Sequence, residues 1–572
     1  MELSKTGHAC HATSTYEYAS SKLLRDVPFL EAEPDNIHSL AGVARTQPYP
    51  FFPSPTTMDA QIKKLRGSLL GKLLILMLNL SIRREEVKYL DKEEWKNWFS
   101  HTGDLQIMDV DEPEGRIKFY YLSSLADQKV IYERLLPSFR RLDLQTANIE
   151  QIEQELALPK NQRVTKPETV IDKLLQGNIY IHVDQESYGL FIPTESKAHR
   201  NVSAPEIESI VIGPQIAFVE ELDTNLSIIR KYLPTQNLYC EKWMVGESIP
   251  AEVALLFMNG VAEQENINTM RQRIESLQVD SMLDASILAQ YLSDSGSTVF
   301  PLMQLTERPD RVVSGLMQGQ LAVIVNGSPF AILGPTSLIQ FLHSPDDFYF
   351  RWGISTFVRL LRAVAIITSL LLTPAYVASI TFHYELIPAD LLISLAQSRS
   401  RVPFPPLIEA LLLEGVIELL REAGARLPTK VGQTIGIVGG IVIGQAIVQA
   451  GFTSNILIII VALGALASFI APSYMLGATV RVIRFPMILL AGMWGGVGIA
   501  VGFSFLITHL LRQKSLGRPY LSPFYPLRFA DLKDSAVRLP VKFFSRLPVF
   551  YARNPKRRFD PQKAKEIDDI DD

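Results

Sequence analysis

From Val431 to Leu511 the only formal charges are Arg481 and Arg484. A run this poor in charge exceeds several times over the ~20 apolar residues that cross a hydrocarbon core, and soluble domains do not carry one. A wholly soluble chain is excluded. The first 350 or so residues are polar and mixed, which equally excludes a bare transporter bundle. The class expected is a multidomain membrane protein: a cytoplasmic α/β domain of two related subdomains, followed by an α-helical transmembrane domain in the lipid bilayer. A net charge of −4 argues against nucleic acid as a partner. Two cysteines, Cys10 and Cys240, make neither a disulfide framework nor a zinc site, and His8, Cys10 and His11 fall short of one. No metal, cofactor or catalytic residue is expected. Met1 to Ser20 has no apolar core of a cleaved signal.

Residues 1–60 read as a disordered tail, with scattered charge, repeated proline and no period. Beyond it, helical patterns alternate with short apolar runs such as Ile179–Val183 and Leu321–Val325. These belong to an internal repeat. Lys166-Pro167-Glu168-Thr169-Val170 leads to Gln176-Gly177, then to Val183, then to Ile192-Pro193-Thr194. Arg308-Pro309-Asp310-Arg311-Val312 leads to Gln318-Gly319, then to Val325, then to Gly334-Pro335-Thr336, at one offset and without a gap. Gly177 and Gly319 stand where a helix end needs a positive φ. The repeat predicts α/β subdomains over 68–205 and 206–350, joined by a helical stretch near Glu220–Leu233.

Residues 351–511 form the predicted transmembrane domain, with spans near 363–382, 431–452, 456–475 and 486–511. An amphipathic helix over 406–424 lies between the first two. At 100° per residue, Glu414, Glu418, Arg421 and Glu422 share one side of it and Glu409 falls off that stripe. Such a helix lies in the membrane interface or beside water within an assembly, and Glu414 and Glu418 are candidate channel-lining residues, since a ring of subunits makes each a circle of negative charge. The plainer expectation is that they pair with Arg421 or sit at the water interface. Gly436, Gly440 and Gly444, then Gly492 with Gly496 and Gly498 with Gly502, are spaced to let helices pack closely, within or between subunits.

Residues 512–572 form a basic tail, with twelve Lys or Arg against two Asp between 512 and 558. That charge and Arg351, Arg359 and Arg362 before the first span put both ends in the cytoplasm and require an even number of crossings. Four spans leave Arg481 and Arg484 on the outside, against the charge rule, and leave room for a re-entrant segment near Pro472.

Several local motifs occur in order. They are Phe300-Pro301, Thr306-Glu307-Arg308-Pro309-Asp310, Ser328-Pro329-Phe330, Arg421-Glu422-Ala423-Gly424 with Arg426-Leu427-Pro428, Ile443-Gly444-Gln445-Ala446, Ala467-Ser468-Phe469, and Gly517-Arg518-Pro519-Tyr520 with Ser522-Pro523. The series resembles the GerA family, the A subunits of nutrient germinant receptors of endospore-forming bacteria, from about residue 65 to 558. Gln318-Gly319-Gln320 stands in place of that family's Glu-Gly-Arg, and Asn326 in place of an Asp. The resemblance implies a multi-pass protein of the spore inner membrane with both termini on the core side. It also implies a permease-like B subunit and a lipoprotein C subunit as partners, and self-association into a ring that forms a nutrient-gated cation channel. The alternatives are a SpoVAF-like relative forming a channel without direct nutrient sensing and, less favoured, a membrane-anchored enzyme.

Overall fold

The computed structural model describes most of the chain between Thr102 and Tyr551, apart from 427–439 and short breaks near 111–116, 143–147, 159–162, 195–203 and 541–547. The expected tail at 1–60, Gly436, and the chain after 551 lie outside the described residues.

Two five-stranded antiparallel sheets come first. The first contains β1 (Leu105–Asp109), β2 (Ile117–Leu122), β3 (Arg163–Val164), β4 (Asn178–Val183) and β5 (Gly189–Pro193), in the order β1-β2-β4-β5-β3. The second contains β6 (Leu238–Val245), β7 (Ala251–Met258), β8 (Gln304–Thr306), β9 (Leu321–Val325) and β10 (Ala331–Gly334), in the order β6-β7-β9-β10-β8. Position for position the order is the same. Helix α1 (Ile149–Glu155) precedes β3, and α2 (Pro167–Leu175) joins β3 to β4. Helix α3 (Leu222–Tyr232) leads into β6, α4 (Gln264–Glu275) and α5 (Ala285–Tyr291) lie between β7 and β8, and α6 (Pro309–Gln318) joins β8 to β9.

Central strands have no polar face because each sheet is covered on both sides. Val253, Leu255 and Phe257 of β7 face Ile267, Met270 and Ile274 of α4, while Ala254, Leu256 and Met258 face Leu226 and Ile229 of α3 and Leu316 of α6. Alternate residues therefore go to opposite apolar layers, which is why these strands read as unbroken apolar runs. Gly177 and Gly319 end α2 and α6 at φ +82° and +99°. A Cβ on either would sit 3.0–3.1 Å from a carbonyl oxygen, of Leu125 in one sheet and Val261 in the other, at matching turns. The helical stretch expected near 220–233 is α3, a core helix of the second sheet whose Arg230 reaches the first lobe.

The lobes meet at a buried ion pair. Asp104, before β1, takes two bonds from Arg230 of α3, at 2.6 and 2.7 Å, and one from the Ser124 hydroxyl at 2.7 Å. Both partners are at most 2% exposed. Burial alone raises the Asp104 pKa, but the Arg230 charge and the hydrogen bonds more than offset it and hold the carboxyl below its usual range.

The helical bundle begins with α7 (Trp352–Thr381), whose Arg359 and Arg362 both bond the fully buried Asp347. Next come α8 (Ala389–Arg399), α9 (Pro406–Arg426), α10 (Asn455–Phe469) and α11 (Tyr474–Arg512). Among the described residues two helices, α7 and α11, are long and apolar enough to cross a membrane. Two expected spans end elsewhere than predicted. The span over 456–475 stops at Phe469, and α11 starts only at Tyr474, so Pro472 sits in a turn. The span over 486–511 is not one helix: at Gly495 the backbone leaves helical geometry (φ 60°, ψ −137°). There α11 folds back on itself, bringing Gly502 against Met487 and Leu510 into one cluster with Leu476. Gly498 faces the Leu490 carbonyl inside this hairpin.

The contacts sort the bundle into two ends. At the end beside the sheets, the Thr479 hydroxyl bonds the Val299 carbonyl at 2.6 Å, Thr298 pairs with His509, and Arg421 meets Ser468. At the far end, His383 Nε2 accepts from Gly496 N at 3.1 Å, Phe404 stacks on Phe452, and Leu407 packs on Gly492.

Candidate functional site

Helix α9 carries four glutamates about one turn apart, and each has an arginine partner. Glu409 Oε1 accepts from Ser454 N at 2.6 Å and from Thr453 Oγ1 at 3.0 Å, and Arg399 approaches its other oxygen at 3.5 Å. Glu414 takes Arg484 Nη1 at 2.7 Å and Thr373 Oγ1 at 2.8 Å. Glu418 lies 3.2 Å from Arg481 and 3.6 Å from Arg421, and Glu422 pairs with Arg426 at 2.6 Å. The result is a charged seam running the length of α9, from the far end at Glu409 to the sheet-side end at Glu422.

The local reason is plain. Four carboxylates in a helix that is half apolar cannot stay ionised in hydrocarbon without counterions and hydrogen bonds. The segment from Leu427 to Leu511 has no Asp or Glu at all, so Arg481 and Arg484 must look to α9. Arg484, 3% exposed, is further held by the Ser369 hydroxyl and by the Gly464 carbonyl at 3.3 Å, which ties α7, α9, α10 and α11 together.

Of the predicted residues, Glu414 lies inside the subunit, 4% exposed and ion-paired, whereas the Glu418 side chain is 41% exposed. Neither makes Arg421 its closest cation. Gly492, Gly496, Gly498 and Gly502 pack within the chain, against Leu407, His383, Leu490 and Met487. Around Gly440 and Gly444 the described residues leave open space. Sequence reasoning missed Glu409 as a buried partner, because its ligands Thr453 and Ser454 are over forty residues away. The signal available was the imbalance itself, a segment holding two arginines and no acid. Among the described residues no group of three His, Cys, Asp or Glu could hold a metal. The seam offers compensated charge along a helical path through the bundle.

Fold and seam together define a class: paired α/β lobes carrying a bundle of apolar helices with a charged interior, in a protein associated with a membrane. The description Bacillus/Clostridium GerA spore germination protein matches residues 93–550, which spans both lobes and the bundle. Spore germination protein GerQA of Bacillus cereus is 44% identical over 81% of this chain and 92% of its own length. Spore germination protein GerIA of Bacillus cereus is 44% identical over 74% of this chain and 63% of its own length. The crystal structure of the N-terminal domain of the A subunit of the Bacillus megaterium spore germinant receptor GerK3 covers 42% of this chain and 91% of its own, at 22% identity and a TM-score of 0.32. That superposition is loose, and the assignment rests on sequence. The chain belongs to the GerA family of spore germination proteins.

Proposed function

We propose that this chain is the A subunit of a nutrient germinant receptor, working with a permease-like B subunit and a lipoprotein C subunit, and that copies of it form a ring through which cations leave the spore core when nutrient is sensed. The observation that carries the reading is the family match over residues 93–550, which takes in both lobes and the bundle. The lobes, near 68–205 and 206–350, stand on the core side of the spore inner membrane with both termini. The bundle conducts. Glu418, the more exposed of the two candidate carboxylates, is the one available to a pore, and Glu414 fixes the helix that carries it. The open flank at Gly440 and Gly444 suits close approach of a neighbouring subunit's helix.

Deleting the gene and assaying germination on a nutrient panel tests the receptor reading. Loss of the response to one nutrient supports it; an unchanged response to every nutrient, with slower germination overall, favours a SpoVAF-like relative instead. Conduction is tested separately. Glu418→Gln is expected to slow nutrient-triggered cation release while the protein still accumulates, and an unchanged release rate removes Glu418 from the path.

A further inference from the structure

Charge along the seam does not balance at its sheet-side end. Arg484 is satisfied by Glu414. Arg481 and Arg421 must then share Glu418, at 3.2 and 3.6 Å. That leaves one guanidinium in excess, and the nearby chain offers no second carboxylate: 427–511 holds no acid, and Glu422 is taken by Arg426. The bonding is incomplete as well. Arg421 makes one hydrogen bond, from Nη2 to the Ser468 hydroxyl at 3.1 Å, and its Nε and Nη1 make none. Arg481 Nε, 3.2 Å from Glu418, faces that carboxylate without hydrogen-bond geometry. Unmet donors on a charged group inside an apolar bundle are costly, so such a site calls for an anion.

The surroundings say which anion. Arg421 stacks on Phe469 at 4.5 Å and Arg481 on Tyr474 at 6.0 Å. Both rings are 66% exposed, and Met475 beside them is 49% exposed. Two cations on exposed aromatic rings, at the end of the bundle next to the polar lobes, match the level where phospholipid headgroups lie. Guanidinium suits a phosphate oxygen pair better than it suits a single point charge.

We propose that Arg421 and Arg481 form a binding site for a phosphate group, supplied by an anionic phospholipid of the leaflet facing the lobes. The site rests on the membrane reading of the bundle but not on conduction. The phosphate takes the donors that Glu418 leaves unmet, so Glu418 competes with it.

The test uses the full chain in phosphatidylcholine nanodiscs with and without phosphatidylglycerol. Lipid retained after extraction into mild detergent is measured by mass spectrometry. Phosphatidylglycerol is expected to be retained over phosphatidylcholine. Arg421→Gln is expected to reduce that preference about tenfold, the value of one charged hydrogen bond. Glu418→Gln is expected to increase it, since the competing charge is gone. Arg512→Gln, an exposed arginine at the end of α11 outside the seam, serves as a control without effect. Inorganic phosphate is titrated in parallel. If it abolishes retention of phosphatidylglycerol in the wild type but not in Arg421→Gln, the phosphate group is what the site reads; stabilisation by inorganic phosphate in discs where phosphatidylglycerol has no effect overturns the lipid as its source. Equal retention of both lipids by the wild type overturns the proposal, as does a Glu418→Gln variant with unchanged preference. Because that second variant keeps both arginines, it decides the matter even where Arg421→Gln fails to fold.

Discussion

Replacing Asp104 by Asn is expected to loosen both lobes at once. The Asn keeps the size of the side chain and removes the charge that Arg230 needs. Two bonds of 2.6 and 2.7 Å weaken, and a guanidinium only 2% exposed is left without a counterion. Breaking a buried pair by removing one partner costs about 3–5 kcal/mol, most of it the stranded charge. Exchange of the slowest amides of β1 and β6 should then speed up by about two to four orders of magnitude. Hydrogen exchange on the full chain in detergent reads this directly. The double variant Asp104→Leu with Arg230→Met strands no charge, so it should recover most of the loss. The sign with pH is also fixed. A carboxylate whose folded pKa is lowered contributes fully above its unfolded value of 3.8, and the contribution is lost only as pH falls through the folded value. From neutral pH down to about 5 the cost of the Asn variant should therefore stay flat. Acceleration below tenfold, or a double variant no better than Asp104→Asn, would refute the claim that this pair holds the lobes.

Three further outcomes follow from other parts of the chain. Burial, then the Arg359 charge, push the His343 pKa from 6.5 down to about 4, and its Nε2–H donates to the Ser535 carbonyl at 2.8 Å. The unfolded chain takes up this proton first, so stability should fall by roughly 3 kcal/mol as pH drops from about 6.5 to about 4, seen as faster proteolysis of the tail after 535 and absent in His343→Gln. Gly495→Ala should cost about 1–3 kcal/mol from backbone strain alone, and more because its Cβ falls 2.9 Å from that of Phe382; normal accumulation in membranes would contradict the hairpin. Gly440→Ala should leave the subunit itself as stable or up to about 1 kcal/mol more so, because nothing described lies within 4 Å, and loss of oligomer on size exclusion would mark that flank as a contact between copies.

How far these features could be read in advance depended on how local their cause is. The repeat through Gly177 and Gly319 was legible because each copy is a local unit. A proline-headed helix, a glycine at positive φ and a two-strand hairpin are each set by neighbours in sequence, and a gapless offset preserves all three. The helices of the bundle were legible as apolar runs, but their ends were not. Hydropathy has no term for chain direction, and five glycines at 492, 495, 496, 498 and 502 offered five places to turn. Only packing against Phe382 and His383 selects Gly495. The seam was half legible. A helical wheel finds the carboxylates of α9 and the nearest arginine on the same helix. It cannot find Arg484, seventy residues on, which closes on Glu414 only once α11 is in place.

That same pair bears on how often the chain crosses the bilayer. With four crossings, Arg481 and Arg484 fall on the wrong side for the charge bias of membrane proteins. Helix α9 runs from Leu407, beside Gly492 at the far end, to Arg421, beside Ser468 at the sheet-side end. By Phe452, which stacks on Phe404, the chain is again at the far end. Helix α10 then descends to Phe469, the first leg of α11 climbs to Gly495, and the second leg comes down to Arg512. Under the proposed membrane placement, α7, α9, α10 and the two legs of α11 are the passages among the described residues. Arg421, Arg426, Arg481 and Arg484 now belong to the half of the bundle nearer the lobes, together with Arg359 and Arg362. Their place beside the lobes fits the proposed core-side placement of the lobes, and Pro472 lies in the turn between α10 and α11.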